Sequence, residues 1–310
     1  GLARGSIIVG DSAGDPSALA IGSNTYILTS DGTDISWAAA AAGGATNIDG
    51  LSDAKSGGTD FANSLILGHQ TTGTLSSAEK NTGLGYGVLD ALTSATKQTA
   101  IGYNALSSNQ SGQGNTAVGA DVLANCTGAE NTAIGKGAAG GVTTGNYNVA
   151  VGENALRVAD TQDHNVAVGQ DSLYSETTGS YNTALGGSTL YTQDGGVENT
   201  ALGYYSGVSN TTGDENVFVG SQAGRGNTTG STNIYIGFRC ARNRSTGGSN
   251  VIIGSDASYT AATGSRNVAI GTNAGYNWTT AYNNTIMGYN ARTDEYNSYG
   301  AVVVGYNGLG

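Results

Sequence analysis

Aliphatic and polar positions return along this chain at one fixed step. In residues 63–310 an aliphatic residue or Met stands directly before a glycine at Leu67, Leu84, Ile101, Val118, Ile134, Val151, Val168, Leu185, Leu202, Val219, Ile236, Ile253, Ile270, Met287 and Val304. The fifteen glycines, from Gly68 to Gly305, are seventeen residues apart, except for the sixteen between Gly119 and Gly135. Self-similarity at a short fixed period marks a repeat architecture, so it outranks any search for single motifs. The residue ahead of the aliphatic is usually Ala, as at Ala100, Ala117 and Ala150, and becomes Phe218, Tyr235, Ile252 and Ile286 later. Successive strand side chains point to opposite faces, so two adjacent apolar positions predict a short strand covered on both sides.

The phrase Asn-x-x-aliphatic-Gly opens at Asn115, Asn131, Asn148, Asn165, Asn182, Asn199, Asn216, Asn233, Asn250, Asn267 and Asn284. Identical Asn side chains at equal height steps are expected to hydrogen-bond as a ladder along the stack. Three residues after each register glycine stands a small side chain (Ala105, Ala138, Ala155, Ser172, Ala223), and three residues before most of the Asn stands a second glycine (Gly112, Gly145, Gly213). The spacing predicts two corners tolerant of positive φ with two short strands between them. The fold class is therefore all-β: a β-solenoid, or β-roll, of about 15 coils with a 17-residue repeat, and about 67 Å long at ~4.8 Å per coil. A coil this thin buries little apolar surface and leaves one apolar wall in water, which predicts a parallel homotrimeric fibre in which copies cover each other.

Ahead of the array, residues 1–37 read as a small β cap or joint of short strands, with Ser30-Asp31-Gly32-Thr33 as a hairpin turn between two β-favouring runs. Residues 38–62 form an Ala/Gly-rich linker, helical or linker-like over residues 38–44, and residues 63–310 form the shaft.

Composition narrows the function. With 52 Gly, 11% charged residues and a single proline, Pro16, the 310-residue chain suits a regular stack and cannot fill a wide core. A net charge of −11 speaks against a phosphate backbone as partner, so no nucleic acid is expected. No run reaches the apolar length of a membrane span, and no signal-peptide layout opens the chain, so no membrane insertion is expected. Cys126 and Cys240 fall seven coils apart, about 34 Å along the axis, and are expected to be free, small buried hydrophobes.

Catalytic inventory is thin. The two histidines, His69 and His164, are more than five coils apart and lack a recurring Ser or Cys partner, so the chain is read as no enzyme. Paired Cys and His for a metal are missing, and no cofactor is expected. Binding chemistry is better represented. The position after the register glycine is aromatic at Tyr86, Tyr103, Tyr204, Phe238, Tyr289 and Tyr306, and adjacent coils should set Tyr86 beside Tyr103 and Tyr289 beside Tyr306. Those tyrosines are candidate glycan contacts, or else a packing ladder that stiffens the rod. Arg225, Arg239, Arg242, Arg244 and Arg266 form a basic zone that could receive an anionic polysaccharide, or else a solvated face.

At Asn131-Thr132-Ala133-Ile134-Gly135, and again over residues 148–156 and 182–190, the array resembles the repeats of tailed-bacteriophage tail fibre proteins. More distantly it is similar to the head repeats of trimeric autotransporter adhesins, whose phrases build a trimeric β-roll. The resemblance covers about four-fifths of the chain, and the stretch from Tyr26 to Trp37 also looks like a segment common near phage fibre joints. It implies a homotrimeric virion fibre, extracellular, joined at its ends to other fibre or tail proteins and used in host attachment through a surface glycan. The alternative is a bacterial cell-surface trimeric adhesin or extracellular filament with glycan binding on the shaft. Many such fibres end in a self-cleaving chaperone domain with a Ser-Lys pair, and residues 1–310 carry none.

Overall fold

The computed structural model describes residues 61–68, 75–293 and 297–309 in full, together with the strand course of Ile7–Gly10, Pro16–Leu19, Tyr26–Ser30, Ile35–Ala39 and Ala54–Ser56. The chain divides into two units, residues 1–55 and 56–310. In the first, Ile7–Gly10 pairs antiparallel with Pro16–Leu19, and Tyr26–Ser30 with Ile35–Ala39. The second pairing runs from Tyr26 opposite Ala39 to Ser30 opposite Ile35, and the turn expected over residues 30–33 falls, beyond Ser30, outside the described residues. Ala38 and Ala39 complete its second strand, while residues 40–53 and His69 lie outside the described residues.

The second unit is a parallel β-solenoid. Its main sheet runs in sequence order from Leu65–Leu67 to Val302–Val304, interrupted only where a second sheet begins near the C-terminal end. Each strand is three residues long, and neighbours pair position for position: Val149 opposite Val166, Ala150 opposite Ala167, Val151 opposite Val168. The register glycine continues the ladder, donating from its N–H to the aliphatic carbonyl one coil back, as Gly152 to Ile134 (2.8 Å) and Gly169 to Val151 (2.7 Å). One strand per coil is the rule. Among the described residues, the second strand expected in every coil forms only in Thr263–Ser265, Thr280–Tyr282 and Asn297–Tyr299; in the other described coils turns and bends stand in its place.

The middle residue of each strand points inward and the flanking two point out. Ala100, Ala117, Ala150, Ala167 and Ala184 are sealed, whereas the aliphatic before the register glycine is half-buried or exposed in the chain, 53% at Leu84 and 45% at Leu202. The interior aliphatic is instead the fourth residue after the glycine: Leu89, Leu106, Leu123, Leu156, Leu173 and Leu190 are all fully buried. These leucines sit at φ between 47° and 52°. That conformation costs an L-residue roughly 1–2 kcal/mol, while sealing a Leu side chain returns about 1.5–3 kcal/mol, so burial wins and the strained backbone persists.

The two corners use glycine for different reasons. Register glycines have φ from 126° to 139° over Gly85–Gly288, and a Cβ there would stand within 3.0 Å of the next coil's backbone. At the second corner, expected to need positive φ, Gly247 and Gly264 adopt it (101° and 129°), whereas Gly112, Gly128, Gly179 and Gly213 do not. The constraint on these four is proximity: a Cβ would come within 2.0–2.3 Å of the carbonyl oxygen of the matching glycine one coil on. Coils cannot close to strand spacing with a side chain in that gap.

Interior volume is exchanged between two positions. Where the strand centre grows to Phe218, the fourth position shrinks to Gly207 and Gly224, and a Cβ on either would meet the Phe218 ring at 2.5 and 2.4 Å. Tyr235 and Ile252 are likewise matched by Ala241 and Ser258.

Candidate functional site

The asparagine column is interior and continuous. All eleven side chains, Asn115 to Asn284, are buried. In the repeating pattern Oδ1 of one Asn accepts from the backbone N–H of the next, as Asn131 to Asn148 (2.9 Å) and Asn199 to Asn216 (3.0 Å). Nδ2 donates to the second-corner glycine of the following coil, as Asn148 does to Gln162, which stands in for that glycine (2.8 Å), and Asn199 to Gly213 (2.8 Å). The column extends below the phrase, where Asn81 Oδ1 accepts from the Gln98 N–H (3.0 Å). Each amide thus ties three consecutive coils, and its partners are all protein groups.

A second interior column, seven residues after the register glycine, was hidden by its variety: Leu92, Asn109, Cys126, Val142, Ala159, Glu176, Gln193, Asn210, Asn227, Arg244, Ala261 and Trp278, all sealed. Constant spacing of otherwise unlike residues is the signal that finds it. The amides chain together, Asn227 Nδ2 to Asn210 Oδ1 and Asn210 Nδ2 to Gln193 Oε1, both 2.6 Å. Burial pushes the Glu176 carboxyl above its ordinary range against the N–H donors of Gly195, Gly179 and Thr178, with Asp194 adding to the rise. Arg244 donates to Gly264 O (2.8 Å) and Ser258 Oγ (3.1 Å), and burial lowers its pKa. Cys126 and Cys240 are free and buried, their thiols pushed by desolvation to about 11 and about 12, so neither supplies a thiolate nucleophile at neutral pH.

Outside, aromatic rings align in the coil register. Tyr86 stacks on Tyr103 with centroids 5.8 Å apart and planes 7° apart, and Tyr289 on Tyr306 at 5.3 Å and 12°. Tyr204 has no ring neighbour in an adjacent coil; it leans on Tyr205 at 4.1 Å and 47°, and their hydrogen bond raises its pKa. These candidate contacts thus form separated pairs rather than one platform. Three further ladders lie at other registers: Tyr147, His164 and Tyr181 one residue before the Asn, and Tyr174 with Tyr191, and Tyr259 with Tyr276, five after the glycine. Their equal seventeen-residue separations were readable in the sequence.

The basic zone does not assemble as a cationic patch. Arg244 turns inward, Arg239 pairs with Asp256 through both ends of the guanidinium (Nε–Oδ1 2.8 Å, Nη2–Oδ2 2.9 Å), and Arg242 is held by Gln222 and Tyr259. Arg225 and Arg266 alone stand exposed. Among the described residues no cluster of three or more His, Cys, Asp or Glu is placed to hold a metal ion, and no helix is long and apolar enough to cross a membrane.

Two concave sites interrupt the flank. One, about 110 Å³, lies between Asn273, Tyr276, Asn290 and Arg292. The other, about 720 Å³, spans three coils around Arg157 and Tyr174. Set against protein-family models, curated proteins and solved structures, the chain matches none.

Proposed function

We propose that the chain is the shaft of a homotrimeric tail fibre of a bacteriophage, a rigid extracellular spacer on the virion that positions and contributes to host attachment. The observation that carries this reading is the outward face of the main sheet. One column is aliphatic or Met from Leu67 to Val304, and the other mixes Val (Val149, Val166, Val217, Val251, Val268) with Thr (Thr116, Thr132, Thr183, Thr200). At ~4.8 Å per coil and about one and a half apolar side chains across, this stripe covers on the order of 500 Å², at the upper end of what soluble monomers expose. Parallel copies of one chain offer the matching periodicity that such a stripe needs, and three around an axis close without leaving an edge.

A mechanical role fits the rest of the coil. Stacked side chains with protein partners at every rung resist bending, and the role proposed for the chain is mechanical rather than catalytic. Sedimentation equilibrium of the purified chain tests association: three times the chain mass is expected, and a monomer at micromolar concentration would refute the fibre. Virion attachment is tested separately, by whether the purified chain competes with intact phage for adsorption to host cells.

A further inference from the structure

We propose that the 720 Å³ pocket beside Tyr174 binds a carboxylated pyranose, such as a uronic acid unit of an acidic glycan. This deepens the attachment reading without depending on chain association, because the pocket lies five to nine residues after the register glycines and shares no residue with the apolar strand wall.

The pocket arises from a run of unlike residues at one register. Five positions after the glycine, successive coils carry Gly140, Arg157, Tyr174 and Tyr191. Tyr191 stacks on one side of the Tyr174 ring, with centroids 5.0 Å apart and planes 10° apart. The coil on the other side offers no ring. Arg157 stands there instead, and it folds back over Gly137 and Gly140: a Cβ on Gly140 would come within 2.9 Å of Arg157 Nη1, and one on Gly137 within 3.4 Å of Nε. Because those two glycines make room for the guanidinium, the second face of Tyr174 borders open space.

Three kinds of contact converge on that space. Tyr174 offers a flat face with a polar tip, suited to the C–H face of a sugar ring. Asp160 supplies a carboxylate acceptor for hydroxyls, steadied from behind by the Thr143 hydroxyl, which donates to its Oδ1. Arg157 is half-buried and makes no ion pair among the described residues, on a chain of net charge −11. A neutral sugar leaves that fork unmatched; a ring carboxylate meets it with two charge-assisted hydrogen bonds. A nucleic acid would need several cations along its backbone, and the pocket has one.

The test is titration of the full chain with tri-galacturonate, read by saturation-transfer difference NMR and calorimetry, with maltotriose as the neutral comparison. Saturation of the galacturonate ring protons is expected, with tri-galacturonate bound about tenfold more tightly than maltotriose. Arg157→Gln should bring the two ligands level. Tyr174→Ala should abolish both, and Ala124 and Val208 at the same register show that the coil accepts a side chain without a ring there. Tyr174→Phe should bind within about twofold of the parent, which separates ring stacking from damage to the fold. No binding of tri-galacturonate, or binding indifferent to Tyr174→Ala, would overturn the site. Equal affinity for maltotriose in the parent would overturn its acidic specificity. The association of chains is read by sedimentation, so failure of either proposal leaves the other standing.

Discussion

At Asn199 a single side chain makes four hydrogen bonds to three neighbours. Its Nδ2 donates to Asn182 Oδ1 and Gly213 O, and its Oδ1 accepts from the N–H and Nδ2 of Asn216. Replacing it with Ala leaves the sealed Asn216 N–H without a partner, while the Gly213 carbonyl keeps the Asn210 amide. An unsatisfied buried donor should make Asn199→Ala cost about 1–3 kcal/mol, measured as a fall in the urea midpoint. Glu176 presents the opposite economy of charge. Burial holds its pKa above that of the unfolded chain, so the folded form binds the proton more tightly. The stability this supplies is complete below the unfolded carboxyl's pKa and is lost as pH rises through the raised folded value. Glu176→Gln removes the dependence, and the next coil already buries Gln193 at the same position. The variant should therefore gain on the parent as pH rises above about 4; a difference that stays constant over that rise would contradict the assignment. The asparagine column was legible because one residue type repeats without interruption, whereas Glu176 and Arg244 were not, because their column keeps its spacing but not its chemistry.

Within one coil, the strand centre and the fourth residue after the glycine share one interior volume. The seventeen-residue step, a short strand in each coil and the aliphatic before Gly152 or Gly203 could all be read from spacing. Which of two adjacent apolar residues faces inward could not, since Ala150 and Val151 both suit a strand and alternation merely says that they differ. Volume decides it: an interior that already holds Leu156 has room for Ala150 and none for Val151. The same sharing makes a prediction. Gly207→Leu should be severely destabilising, since its Cβ alone would stand 2.5 Å from the Phe218 ring, and Phe218→Ala should cost about 3–5 kcal/mol through the cavity left. Combined, they rebuild the Ala-plus-Leu pairing of the earlier coils, where Leu190 already takes φ 48°. The double variant should be more stable than the sum of the single costs by more than about 1 kcal/mol. Simple additivity in a thermal-melt double-mutant cycle would mean that the two positions do not share space.

For the whole array, the balance between self-sufficiency and association rests on the outward wall. Coils contact only their neighbours, so stability is a sum of coil and interface terms, and each coil seals little beyond Ala, Leu and Asn. The outward aliphatics contribute only part of their burial energy to that sum in an isolated chain: Leu202 is 45% exposed and Leu185 40%. Their substitution by lysine therefore distinguishes two accounts of the wall. If the stripe is only a tolerated surface, Leu185→Lys with Leu202→Lys should leave mass, melting and host-cell binding unchanged, because a lysine stem lies comfortably along a half-exposed site. If chains pack through it, six ammonium groups would crowd the axis of a trimer with no carboxylate in either column to meet them, and desolvating them costs several kcal/mol each. The paired variant should then sediment as a monomer, melt at a lower temperature that no longer rises with protein concentration, and bind an apolar dye along the remaining stripe. Lysines placed instead at Thr143 and Thr177, on the flank away from the strand, should leave the parent mass intact. A Leu185→Lys, Leu202→Lys chain that keeps the parent's mass and concentration dependence would show that the apolar stripe is not where copies meet.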